Sequence, residues 1–165
     1  MAKELALPYV SSTLVDTIVC MDETEVIGAY LADYLLRSGR TAINSDREIN
    51  IITPIRNVNK KLTFQSDIQH LIKDRDVILL LSTVTGGSTL RDALEALSYY
   101  GGKVVGISTL FNAYPEEQGL KINTMFTRDD LFGYELYKPG ECPLCEAGAK
   151  IDAIIVHDGY IETEI

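Results

Sequence analysis

Residues Asp76–Leu94 read DVILLLSTVTGGSTLRDAL, and no other stretch limits so tightly what this chain can fold into. Val77–Leu81 is apolar without alternation. A strand of that kind is buried on both faces, as in a parallel sheet covered by helices on each side. The run passes into a Gly/Ser/Thr loop, after which Leu90, Ala93, Leu94 and Leu97 recur at helical spacing until Gly101 and Gly102 stop the pattern. A second apolar run, Lys103–Phe111 (KVVGISTLF), follows at once. Strand, helix and strand in that order define a βαβ unit, with the helix expected over Leu90–Tyr100.

The rest of the chain repeats the alternation. Thr13–Cys20 (TLVDTIVC) reads as a first strand. Val26, Ile27, Tyr30, Leu31, Tyr34 and Leu35 then mark one face of a helix over Glu25–Arg37, with Gly39 as its stop signal. INIITPIRN and KLTFQS read as two strands joined across NVNKK, Pro54 making the first an edge strand or a bend. INTMFTR is a further strand, and AYPEEQG an exposed loop. The expected fold class is α/β: one domain over residues 1–165 with a central parallel sheet flanked by helices. A hairpin-bearing segment is expected near 44–73 and a small irregular tail near 137–165.

With 165 residues, 46% of them hydrophobic, the chain can bury one ordinary core. Its longest apolar run is the five residues Val77–Leu81, whereas a membrane helix needs about 20. The first residues lack a signal-peptide pattern, so the expected location is the cytoplasm, with no membrane partner. A net charge of −9 argues against nucleic acid as a partner, because such binding is built from Lys and Arg. The three cysteines, Cys20, Cys142 and Cys145, do not suggest a disulfide framework.

The loop after Leu81 carries the chemistry. Thr85, Ser88 and Thr89 supply hydroxyls, and Gly86 and Gly87 free the backbone to turn its N–H groups toward one anion at the positive end of the next helix. The competing explanation is a helix N-cap with a glycine turn, since Ser and Thr also serve as ordinary caps. The GxxxxGK[ST] and GxGxxG patterns are absent, which removes nucleoside triphosphatase and dinucleotide-binding readings.

LLLSTVTGGSTLRDALEALSYYGGKVVGISTLFN resembles the signature of the type I phosphoribosyltransferases, and of the orotate enzymes among them. The tail YKPGECPLCEAGAKID is similar to that of some orotate enzymes. The resemblance implies a glycosyltransferase of pyrimidine biosynthesis that uses phosphoribosyl pyrophosphate (PRPP) with Mg²⁺ and works as a homodimer. It implies phosphate binding by Thr85, Gly86, Gly87, Ser88 and Thr89. Two acidic residues before the loop hold the ribose hydroxyls in that family. Here Ser82 and Thr83 stand on the ribose side, or Leu80 and Leu81 in a gapless alignment, and no Asp or Glu lies between Asp76 and Asp92. Hydroxyls bind a ribose but do not supply the charge on which such catalysis depends. On the pyrophosphate side the resemblance points to Arg56, Lys60 and Lys61, although a solvated hairpin tip also explains the two lysines.

Asp22, Glu23 and Glu25 cluster where the family has its pyrophosphate loop; capping by Asp22 or Thr24 is the expected role. Cys142 and Cys145 in CPLC make at most half a zinc site, and an inert tail is the first expectation for them, ahead of zinc and of redox exchange. His70 and His157 are isolated in sequence and are expected to be solvated or hydrogen-bonded. Two functions emerge. One is phosphoribosyl transfer to a base such as orotate, and the other is a non-catalytic sensor or regulatory module for a phosphorylated ribose.

Overall fold

The computed structural model describes residues 1–38, 42–59, 61–114, 121–138, 140–156 and 159–163. They form two compact units, Met1–Tyr134 and Glu135–Ile165.

The first unit is built on β1 (Thr17–Cys20), β2 (Asn50–Ile52), a hairpin of β3 (Ile55–Arg56) and β4 (Leu62–Thr63), β5 (Asp76–Val84), β6 (Lys103–Asn112) and β7 (Asn123–Thr127). Its helices are α1 (Ala2–Ala6), α2 (Glu25–Arg37) and α3 (Ser88–Tyr99). Five strands make one sheet in the order β2-β1-β5-β6-β7, and every pairing in it is parallel. The α/β class with a central parallel sheet is therefore as the sequence implies. β1 and β5 are neighbours, yet the chain leaves β1 toward β2 on one side and β5 toward β6 on the other. Such a switch in direction opens a crevice beyond the C-terminal ends of the two strands.

Val77, Ile78, Leu79, Leu80 and Leu81 are all fully buried. Alternate residues feed two cores. Val77, Leu79 and Leu81 pack with Leu90, Ala93 and Leu97 of α3, while Ile78 and Leu80 pack with Leu5, Leu31 and Leu35 from α1 and α2. Each such side chain contributes about 1.5–3 kcal/mol of hydrophobic stabilisation, so β5 is fixed from both sides and its C-terminal end is a rigid platform.

Several boundaries differ from the sequence reading. β1 starts at Thr17 rather than Thr13, because the Asn44 side-chain amide takes over the pairing before it: its Oδ1 accepts from Val15 N–H at 3.0 Å and its Nδ2 donates to the Thr13 carbonyl at 2.9 Å. β5 continues past Leu81 to Val84, since its ladder with β6 extends through Thr83↔Phe111 and Val84↔Asn112. The helix α1 was not expected; Leu5 and Ala6, both fully buried, anchor it. Pro54 follows the edge strand β2 at the bend into β3. Gly39 and most of the AYPEEQG loop lie outside the described residues.

The second unit holds the short helix α4 (Pro143–Glu146) and an antiparallel hairpin of β8 (Ala153–Val156) and β9 (Gly159–Glu162). Among the described residues, no helix is long and apolar enough to cross a membrane.

Candidate functional site

The loop between β5 and α3 lies at the crevice. Gly87 is the N-cap of α3 and adopts a left-handed backbone, φ 75° and ψ 4°. That conformation is open to glycine at little cost. A helix cap with a glycine turn is present, since Gly87 is the cap, but the hydroxyls of Thr85, Ser88 and Thr89 take no part in it and have no hydrogen-bond partner among the described residues. The first-turn N–H groups of α3 also lack intrahelical acceptors, as at any helix start, and no acidic residue stands in that turn to offset the dipole. These donors belong to one short stretch, Thr85–Thr89, at the start of the helix.

A cleft of about 170 Å³ opens there, lined by Asp22, Thr83, Val84, Thr85, Gly87, Ser88, Thr89 and Leu90. Thr85, Gly87, Ser88 and Thr89 thus share one cavity, whereas Gly86, the fifth residue of the expected phosphate loop, is exposed and does not line it. Thr83 faces the same cavity and Ser82 stands beside it, its hydroxyl 3.4 Å from Asp22 Oδ2. Tyr114 covers the back of the loop so closely that a β-carbon on Gly87 would fall 2.0 Å from its ring.

Asp22 comes from the turn after β1, and the sequence offered Asp22 or Thr24 as the cap of α2. The N-cap is Thr24, as the second alternative has it, but Thr24 does not cap with its side chain. Its buried hydroxyl turns back to the Met21 carbonyl at 2.8 Å, with the Leu80 carbonyl at 3.3 Å. This ties the β1–α2 turn to β5. The same turn places Asp22 and Glu23 at φ 53° and 62°, left-handed values that are uncommon for residues other than glycine. Glu25, in the first turn of α2, accepts a hydrogen bond from Thr53 Oγ1 at 2.7 Å.

The basic residues stand elsewhere. Arg56 Nη1 lies 3.8 Å from Asp92 on the flank of α3. Lys61 lines a separate cavity of about 470 Å³ with Asn57, Asn59, Asp92, Glu95 and Tyr99. Lys60 lies outside the described residues, as does His157, and His70 is exposed.

Cys142 and Cys145 are unpaired thiols at the N-cap and within the single turn of α4. Hydrogen bonding from the Cys145 backbone draws the Cys142 thiol below its ordinary pKa, and the shared thiol contact pushes Cys145 up. Among the described residues, no group of three or more His, Cys, Asp or Glu side chains could hold a metal.

The fold defines a structural class: the chain has the architecture of the type I phosphoribosyltransferases. A hypoxanthine-guanine phosphoribosyltransferase from Bacillus anthracis superposes with a TM-score of 0.53 at 20% identity, over 76% of this chain and 73% of that one. An orotate phosphoribosyltransferase from Mycobacterium tuberculosis H37Rv, solved in complex with PRPP, superposes with a TM-score of 0.52 at 14% identity, over 78% of this chain and 72% of that one. In sequence, the chain resembles the orotate phosphoribosyltransferase of Sulfurimonas denitrificans, with 29% identity over 90 residues. That match spans 47% of this chain and 44% of the relative's length. No family model matches the chain.

Proposed function

We propose that this protein binds a phosphorylated ribose with its phosphate on Thr85–Thr89, and that it serves as a binding module for that metabolite, without efficient transfer chemistry. The observation that carries the reading is the unspent donor set: three hydroxyls and the first-turn amides of α3, converging on one cleft at the switch point of the sheet. Ground-state binding of a phosphate needs only that cradle. Turnover needs stabilisation that grows in the transition state, and a ribose losing its leaving group develops positive charge. Ser82 and Thr83 are neutral, so they hold hydroxyls without supplying that stabilisation.

Phosphoribosyl transfer to orotate is the second reading, and the similarity to the Sulfurimonas enzyme favours it. In that reading PRPP enters with Mg²⁺, which offsets diphosphate charge. Asp22, the carboxylate lining the cleft, is the side chain that would hold the ion together with the phosphate oxygens.

A paired experiment separates the two. Calorimetry with ribose 5-phosphate is run beside an orotate-consumption assay with PRPP and Mg²⁺, on wild type and on Ser88→Asp. Aspartate at the start of α3 suits the helix dipole, so the fold is kept, but it places a like charge in the cradle. The expected result is saturable ribose 5-phosphate binding weakened at least tenfold by Ser88→Asp, with orotate untouched. Saturable orotate turnover by wild type would establish the transferase reading instead.

A further inference from the structure

The cleft presents two chemistries that favour different parts of a ligand. One wall is the donor cradle of Thr85–Thr89; on the other, the Asp22 carboxylate is the single ionised group among the described residues lining the cavity. A carboxylate only accepts hydrogen bonds. The backbone of its turn is anchored, because the buried Thr24 hydroxyl donates to the Met21 and Leu80 carbonyls. Asp22 lines the same small cleft of about 170 Å³ as the cradle, so it stands beside the groups that extend from a phosphate held there. No Lys, Arg or His lines the cavity among the described residues. Arg56 and Lys61, the cations expected on the pyrophosphate side, stand along α3.

We propose that Asp22 sets the specificity of this cleft. It selects a phosphomonoester whose neighbouring groups are hydroxyl donors, and it rejects a ligand carrying a second anionic group such as a diphosphate. This rests on the phosphate-cradle reading and narrows it to ribose 5-phosphate and related polyol monophosphates in preference to PRPP. A diphosphate beside Asp22 meets a like charge with no cation to offset it, whereas a ribose hydroxyl donates to the same oxygens. Asp22 is exposed, so the repulsion is screened by salt and is largest at low ionic strength. Mg²⁺ reduces the repulsion but leaves the diphosphate complex anionic, and the monophosphate keeps its advantage.

The test is calorimetry at low salt with inorganic phosphate, ribose 5-phosphate and PRPP, each with and without Mg²⁺, on wild type and Asp22→Asn. Asparagine keeps an acceptor oxygen and removes the charge. For wild type the expected preference for ribose 5-phosphate over PRPP is about tenfold or more without Mg²⁺, equivalent to ~1.4 kcal/mol. Asp22→Asn is expected to shrink it below about threefold, mainly by tightening PRPP, and added salt is expected to narrow it in wild type. Equal or tighter binding of PRPP to wild type, with or without Mg²⁺, would overturn the proposal, as would a preference unchanged in Asp22→Asn. If neither protein binds any of the three compounds, the phosphate-cradle reading fails and this inference falls with it. Ribose 5-phosphate binding without selectivity removes the inference alone.

Discussion

Replacing Gly87 with alanine places two separate loads on the loop, and a second substitution can tell them apart. The backbone there is left-handed at φ 75°, a conformation that costs an L-residue about 1–2 kcal/mol. The new β-carbon would also fall 2.0 Å from Tyr114 Cε2 and under 3 Å from two more ring atoms. Ordinary carbon contacts lie near 3.5–4.0 Å, so the ring has to move by roughly 1.5 Å. Overpacking of that kind costs about 1–3 kcal/mol. Gly87→Ala is therefore expected to destabilise by about 2–5 kcal/mol, less a few tenths recovered from the stiffer unfolded chain. In a Tyr114→Ala background the steric part vanishes and the conformational part stays. Urea unfolding of wild type, both single variants and the double variant measures the coupling, expected at about 1–3 kcal/mol. A cost below about 0.5 kcal/mol for Gly87→Ala would refute both the strained loop and its packing, whereas a cost that Tyr114→Ala leaves unchanged would refute the packing alone.

Burial pushes the Cys20 thiol up to about 11, whereas hydrogen bonding lowers Cys142. Iodoacetamide at pH 8 is therefore expected to label Cys142 first and Cys145 next, and Cys20 only after denaturation, as read by peptide mass spectrometry. Early labelling of Cys20 would contradict its placement. Thr24→Val removes the hydroxyl that bridges the Met21 and Leu80 carbonyls; the expected loss is about 1 kcal/mol of stability by urea unfolding, with a reduced preference between ribose 5-phosphate and PRPP. The homodimer implied by the sequence resemblance is tested by light scattering at micromolar concentration, where twice the chain mass of 18.3 kDa is expected and a monomer mass would count against it.

The parts of the fold that depend on local pattern were legible in the sequence. The run Val77–Leu81 announced a strand buried on both faces, and the 3–4 spacing in Glu25–Arg37 and Leu90–Leu97 announced the helices beside it. Long-range partners were not legible. Nothing near Thr13 states that the Asn44 amide will do the work of a neighbouring strand, and α1 is too short for periodicity to reveal; it is held by tertiary contacts of Leu5, Ala6 and Tyr9. The cradle followed the same division. Its Gly, Ser and Thr residues are contiguous, so composition found them. The part played by Asp22 depends on β1 and β5 being adjacent in the sheet, which brings its turn next to Ser82, 60 residues away. The signal that could have pointed to it was the order of the strands, since ligands sit where that order reverses.

In the proposed function a phosphate rests on the N-terminal turn of α3. Backbone amide shifts of the isotope-labelled protein, followed by NMR as ribose 5-phosphate is added, test it most directly. The prediction is saturable shifts concentrated at Gly86–Leu90, with smaller ones at Asp22 and Thr83. Shifts centred instead on Asn57–Lys61 and Tyr99, around the larger cavity, or no saturable shift at all, would contradict it.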